Sequence, residues 1–181
     1  LSHFHRYFIM FLFITEGACN AASSQLAEYM DVGHLDVDQE KYSMLDRELE
    51  KEQLPYCREN TISVLAYSPL ANGLLTGKIG PEREFDAGDL RSNNPRFSVE
   101  NRRMVAQMLG EFGPIAEKHD ASMVQLVTAW TLAQPGITHA LCGMRTPEQA
   151  KENAGAGDIS LNADEVDRMN AIIEKYSASL R

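Results

Sequence analysis

The stretch ISVLAYSPLANGLLTGK, residues 62–78, governs how the rest of the chain is read. It opens as an apolar run of strand length. Ser68-Pro69 then stops the strand, because proline carries no amide hydrogen and restricts the residue before it. A glycine-containing turn ending on Lys78 follows. Such a turn either grips a phosphate or simply makes a sharp corner, and taken alone glycine more often serves backbone geometry. A P-loop needs GxxxxGK[ST], since the hydroxyl after the lysine reaches the metal. Here Asn72 stands in the first glycine position and Ile79 in the hydroxyl position, so the pattern fails twice. No GxGxxG fingerprint opens a helix either. A nucleotide held by this chain must be held by another route.

Around this stretch, short strand signals alternate with helical ones. LDVD (35–38) and THALCG (138–143) read as further strands. LDRELEKEQLPYCREN (45–60) has the apolar spacing of an amphipathic helix bent or divided by Pro55. The segment 98–120 places Met104, Val105, Met108, Leu109, Phe112 and Ile115 on one stripe, with Gly113-Pro114 as its interruption. Three helix starts are marked by capping patterns: Ser122 with Gln125, Thr146 with Gln149 after Pro147, and Asn162 with Glu165. Strand followed by helix, without hairpin signals, predicts βα units and a parallel sheet. The polar segment 78–97 reads as a long excursion from that sheet, and such loops are usually functional or mobile.

Composition narrows the function classes. The 181 residues suit a single domain, and 44% hydrophobic with 24% charged residues describes a globular chain. Seventeen Lys and Arg against 26 Asp and Glu give a formal charge of −9, which disfavours nucleic acid as a partner. Cys19, Cys57 and Cys142 form neither a disulfide framework nor a zinc-ligand pattern, and the five histidines are scattered, so no metal site is expected and a reducing, cytoplasmic setting fits best. The apolar segment YFIMFLFIT (7–15) falls short of the roughly 18 residues that span a membrane, and it reads as a buried strand rather than a targeting signal. The chain opens on Leu1, which reads as a fragment or a processed form.

Three separated pieces then carry a resemblance: YSMLDRELEKEQLPYCRENTISVLAYSPLANGLLTGK (42–78), RSNNPRF (91–97) and LVTAWTLAQPGITHALCGMRTPEQAKENAGA (126–156). In this order and spacing they resemble the carboxyl half of an aldo-keto reductase. The likeness runs from Gly17 to Tyr176, with GACNAASSQLAEYM (17–30) similar to the family's Gly-Val-Ser-Asn turn and helix, Cys19 standing where serine is usual. Residues 1–16 form an atypical apolar segment before it.

The resemblance implies an α/β fold, a partial (β/α)8 TIM barrel with about four parallel strands, and NADP(H) as an extended cofactor. Tyr67, at the carboxyl end of its strand, would stack on the nicotinamide, at the ligand-bearing end of such barrels. Ser68, Pro69, Leu70, Gly73 and Lys78 would line the pyrophosphate, and Arg91 would belong to the loop folding over it. Asn20, with Gln39 beside it, would fix the carboxamide. Gly143, Arg145, Gln149, Glu152 and Asn153 would hold the adenosine. The amino terminus of the Thr146 helix offers free amides and partial positive charge to a 2′-phosphate, although that terminus alone is worth only about 0.3–1 kcal/mol, so Arg145 would carry much of the preference.

The family's catalytic tyrosine, lysine, aspartate and histidine belong to the first half of its barrel, which has no counterpart here, and no catalytic residue is assigned. Two functions follow as expectations. One is a fragment or truncated form of a reductase whose parent accepts a small-molecule aldehyde or ketone, inactive alone. The other is a non-catalytic nucleotide-binding or regulatory module of the same fold.

Overall fold

The computed structural model describes residues 15–177. Four strands, β1 (Gly17–Cys19), β2 (Val37–Lys41), β3 (Ser63–Tyr67) and β4 (Ile137–Leu141), form one sheet in the order β1-β2-β3-β4. Every pairing is parallel. Helices α1 (Ser23–Met30), α2 (Gln53–Glu59), α3 (Val99–Glu111), α4 (Gly113–Lys118), α5 (Met123–Leu132), α6 (Pro147–Ala154) and α7 (Ala163–Ser177) lie between and after the strands. This is the α/β class that the alternation of strand and helix signals predicts, with the strands and helices of a partial barrel. YFIMFLFIT lies outside the described residues except for Thr15.

Register explains which side chains share a face. Asp38 pairs with Val64, and Glu40 with Ala66; all four are buried. The alternate positions, Val37, Gln39, Ser63, Leu65 and Tyr67, are half-buried, so one face of the sheet is sealed and the other is open. On the sealed side, Trp130 of α5 is fully buried and stacks on Tyr42 at 6.0 Å between ring centroids, with the Arg47 guanidinium 5.4 Å from the indole centre.

Two boundaries differ from expectation. Helix α2 begins only at Gln53, after a 3-10 turn at Glu48–Glu50. Pro55 therefore sits in the first turn, where a missing amide hydrogen costs little, instead of bending a long helix. Strands β2 and β4 run Val37–Lys41 and Ile137–Leu141, shifted against the apolar runs because they follow the pairing to β3. The division at Gly113-Pro114 is where the sequence put it.

The three caps also differ among themselves. Ser122 and Gln125 bond reciprocally, as do Asn162 and Glu165. At Thr146 the hydroxyl accepts from the Gln149 amide, but the Gln149 side chain reaches back to the Arg145 N–H. The box is thus shifted by one residue at the helix expected to hold an anion.

Candidate cofactor site

At the carboxyl end of β3 the chain makes an unusual turn. Ser68, Ala71 and Asn72 adopt φ of 57°, 46° and 55°, and Gly73 follows at 94°. Four left-handed residues in six are costly for all but glycine and asparagine. At Gly73 a Cβ would also come within 3.2 Å of the Ile79 terminal methyl, a tight approach that adds to the preference its φ sets for glycine. The turn is held by amides of Ala71, Gly73 and Leu75 donating to the carbonyls of Ser68, Leu70 and Leu70. Pro69 is buried beneath it, while Ser68, Leu70 and Gly73 are half-buried and Lys78 is exposed.

One corner of the site forms where β1, β2 and β3 end together. The Tyr67 hydroxyl donates to Asn20 Oδ1 at 2.8 Å, and the Asn20 amide donates to the Gln39 carbonyl at 3.1 Å. Asn20 itself has φ 53°, and its Nδ2 donates to Cys19 Sγ at 3.2 Å. The expected trio Asn20, Gln39 and Tyr67 is therefore adjacent, with Asn20 exposed.

The other end gathers at α6. Lys78 Nζ meets Glu152 Oε2 at 3.0 Å, which joins the β3 turn to that helix and lowers the Glu152 carboxyl. Asn153 Nδ2 donates to the Gly143 carbonyl at 3.4 Å. Arg91 donates from Nε and Nη2 to Asp89 at 2.9 and 2.6 Å, and these bonds hold the Asp89 carboxyl down at about 2. The same guanidinium lies 4.9 Å from the Phe85 ring centre, and the charge of Arg145 also acts on Asp89. The Arg91 guanidinium also lies 3.8 Å from where a Cβ at Gly73 would stand, so its loop rests against the β3 turn. Asp89 and Phe85 were not singled out from sequence; the only signal was an acid two residues before the arginine.

These residues suit a dianionic or pyrophosphate ligand. Lys78 is 63% exposed, Arg145 and Gln149 are exposed, and the Lys78–Glu152 pair is of the solvent-facing kind that exchanges partners at little cost, about 0–1 kcal/mol, whereas the forked Arg91–Asp89 pair is partly buried. The Arg145 and Gln149 amides at the α6 start are already taken by Gln149 and Thr146. Any phosphate there leans on the Arg145 side chain more than on backbone. Among the described residues no group of three or more His, Cys, Asp and Glu could hold a metal ion, and no helix is long and apolar enough to cross a membrane.

The sequence profile of the Aldo/keto reductase family matches residues 16–174. The chain belongs to that family. An NADH-specific methylglyoxal reductase of Escherichia coli is 39% identical over 158 residues, covering 87% of this chain and 48% of the relative. An aldo-keto reductase of Schizosaccharomyces pombe whose name carries NADP(+) is 32% identical, over 68% of this chain and 37% of its own length. Among solved structures, a glycerol dehydrogenase from Gluconobacter oxydans superposes with a TM-score of 0.83 at 31% identity, over 90% of this chain and 49% of the other. This aldo/keto reductase chain therefore spans about half the length of the curated relatives it matches. Its relatives' names include both nicotinamide dinucleotides, so membership alone does not choose between them.

Proposed function

We propose that this chain is the dinucleotide-holding part of an NADP(H)-dependent aldo-keto reductase that reduces a small aldehyde or ketone, and that it does not turn over substrate by itself. The observation that carries the reading is the joining of two expected ligand-holding groups: Lys78, on the turn after β3, is bonded to Glu152 of α6, while Tyr67 at the head of the same turn is bonded to Asn20. A nicotinamide would supply the hydride. The chain's own part is to orient and to neutralise charge. Tyr67 and Asn20 offer a ring face and an amide at one end. Lys78 and Arg91, released from Glu152 and Asp89, offer charge in the middle, and Arg145 offers a fork for a terminal phosphate at the other. A proton donor for the carbonyl is assigned to the part of the barrel that precedes these motifs in the family.

Fluorescence titration of the 181-residue chain with NADPH and with NADH tests this. Saturable NADPH binding is expected, weakened about tenfold or more by Arg145→Ala, a loss of about 1.4 kcal/mol or more. NADH binding should change little. No detectable binding by either protein, or enzyme-like reduction of an aldehyde by the chain alone, would overturn the proposal.

A further inference from the structure

The sealed face of the sheet carries a cluster that dinucleotide holding does not explain. Asp38 and Glu40 stand two residues apart on β2, on one face, at 0% and 6% exposure. Two buried carboxyls side by side cannot both ionise cheaply, because burial disfavours each charge and each charge disfavours the other. Among the described residues no cation offsets them. Their partners across the strands are Ala18, Val64 and Ala66. From α2 Asp38 meets Gln53, from the turn before α1 Glu40 meets the backbone of Ala21, and the Cys57 thiol of α2 lies within the field of both carboxyls.

The hydrogen bonds around them almost close. Gln53 Nε2 donates to Asp38 Oδ2 at 2.6 Å and to the Ala21 carbonyl at 2.6 Å, which uses both its hydrogens. The Ala21 amide donates to Glu40 Oε1 at 2.8 Å. Asp38 Oδ1 remains, a buried side-chain oxygen without a donor among the described residues. Glu40 is the neighbouring carboxyl on the same buried face of β2, and each of the two carboxyls perturbs the other. Two acceptors make a bond only with a proton between them.

We propose that Asp38 and Glu40 hold one shared proton, donated from Glu40 to Asp38 Oδ1, and that it closes a ring of hydrogen bonds fixing the turn that presents Asn20 to Tyr67. The ring runs from Glu40 to the Ala21 amide, from the Ala21 carbonyl to Gln53, from Gln53 to Asp38, and back through the proton. It clamps Ala21 at both its amide and its carbonyl, immediately after the left-handed Asn20. Asp38 and Glu40 are thus positioning residues for that corner. Only the meaning of the corner for a dinucleotide rests on the proposed function; the ring stands without it.

Burial, reinforced by the Asp38 charge and opposed by the Ala21 amide, pushes the Glu40 carboxyl up to about 7. Burial also raises Asp38, against the bonds from Gln53 and Glu40. Burial and the two carboxyls push the Cys57 thiol up to about 12, so it stays neutral and adds no charge. Between the ordinary glutamate value of 4.5 and about 7 the native chain binds more protons than the unfolded one. The stabilisation from Glu40 is therefore complete below about 4.5 and is lost as pH rises through about 7.

Glu40→Gln tests this in the full chain, since a glutamine accepts from Ala21 through Oε1 and donates to Asp38 through Nε2 with no titrating proton. The wild-type melting temperature should fall by several degrees between about pH 5 and pH 8, and Glu40→Gln should remove that fall. Carbon-13 NMR of the side-chain carboxyls should show a resonance, missing from Glu40→Gln, that titrates near 7. Glu40→Leu, which lacks both acceptor and donor, should melt lower than Glu40→Gln at either pH. A pH slope unchanged in Glu40→Gln, or Glu40 and Asp38 both titrating below about 5, would overturn the ring. In NADPH titrations the wild type should bind several-fold more weakly at pH 8 than at pH 6, and Glu40→Gln equally at both. Absence of NADPH binding at every pH would count against the proposed function, while melting and NMR decide the ring.

Discussion

On the helix-facing side of the sheet Asp38, Val64 and Ala66 are fully buried, whereas on the opposite side the rows Cys19-Gln39-Leu65-His139 and Lys41-Tyr67-Leu141 are half-buried or exposed. The same strands feed both faces, so the difference lies in what covers them. Parallel sheets are ordinarily covered on both sides. In this chain the covered side carries the packing that holds the fold, and the less covered side presents Tyr67 and Gln39 to the candidate site. Substitutions should therefore separate by face: large costs in stability on one, changes in binding with little cost in stability on the other.

Trp130→Ala should have the largest effect. It removes the stack on Tyr42, the contact with Arg47 and the indole bond to Asn170, and leaves a cavity in the covered layer. A loss of about 3–5 kcal/mol is expected, measured as a lower urea midpoint.

Asp46, in the turn after β2, tests the rim between the faces. Burial pushes its carboxyl up, but hydrogen bonds from Arg96, Lys41 and Ser43 outweigh burial and hold it well below the usual carboxylate range. Its contribution is present above the ordinary aspartate value and is lost as pH falls below it. Asp46→Asn should cost about 1.5–3 kcal/mol near neutrality and should reduce the acid-side fall in melting temperature.

The smallest effect is expected for Tyr67→Phe on the open face. It removes the hydroxyl's bond to Asn20, an exposed pair worth about 0.5 kcal/mol, the low end for a net hydrogen bond. Thermal melting should barely move while dinucleotide affinity drops. If Tyr67→Phe destabilised the chain as much as Trp130→Ala, the contrast between the faces would fail.

Much of the fold was legible because its signals are local. The break at Ser68-Pro69, the division at Gly113-Pro114 and the caps at Ser122 and Asn162 depend on residues within four positions of one another. The late start of α2 was not legible, because the apolar spacing at Leu45 and Leu49 also suits the turn that lays Met44 and Arg47 against the core. In the candidate site, the residues at strand ends and on α6 could be named from their motifs. Asp89 and Phe85 could not, since an acid and an aromatic in a polar excursion are indistinguishable from solvated loop until Arg91 is seen lying against both.

By itself the sequence determined the class of fold, the order of its elements and the family, since strand, turn and cap chemistry are written in neighbouring residues. Only the tertiary structure decided that Asp38, at the end of the expected strand 35–38, and Glu40, beyond it, both lie on the buried side of β2. Which face of a strand is sealed depends on the helices packed against it, and here those helices begin at Ser23 and Gln53, far from the carboxyls in sequence but joined to them through Ala21 and the Gln53 amide.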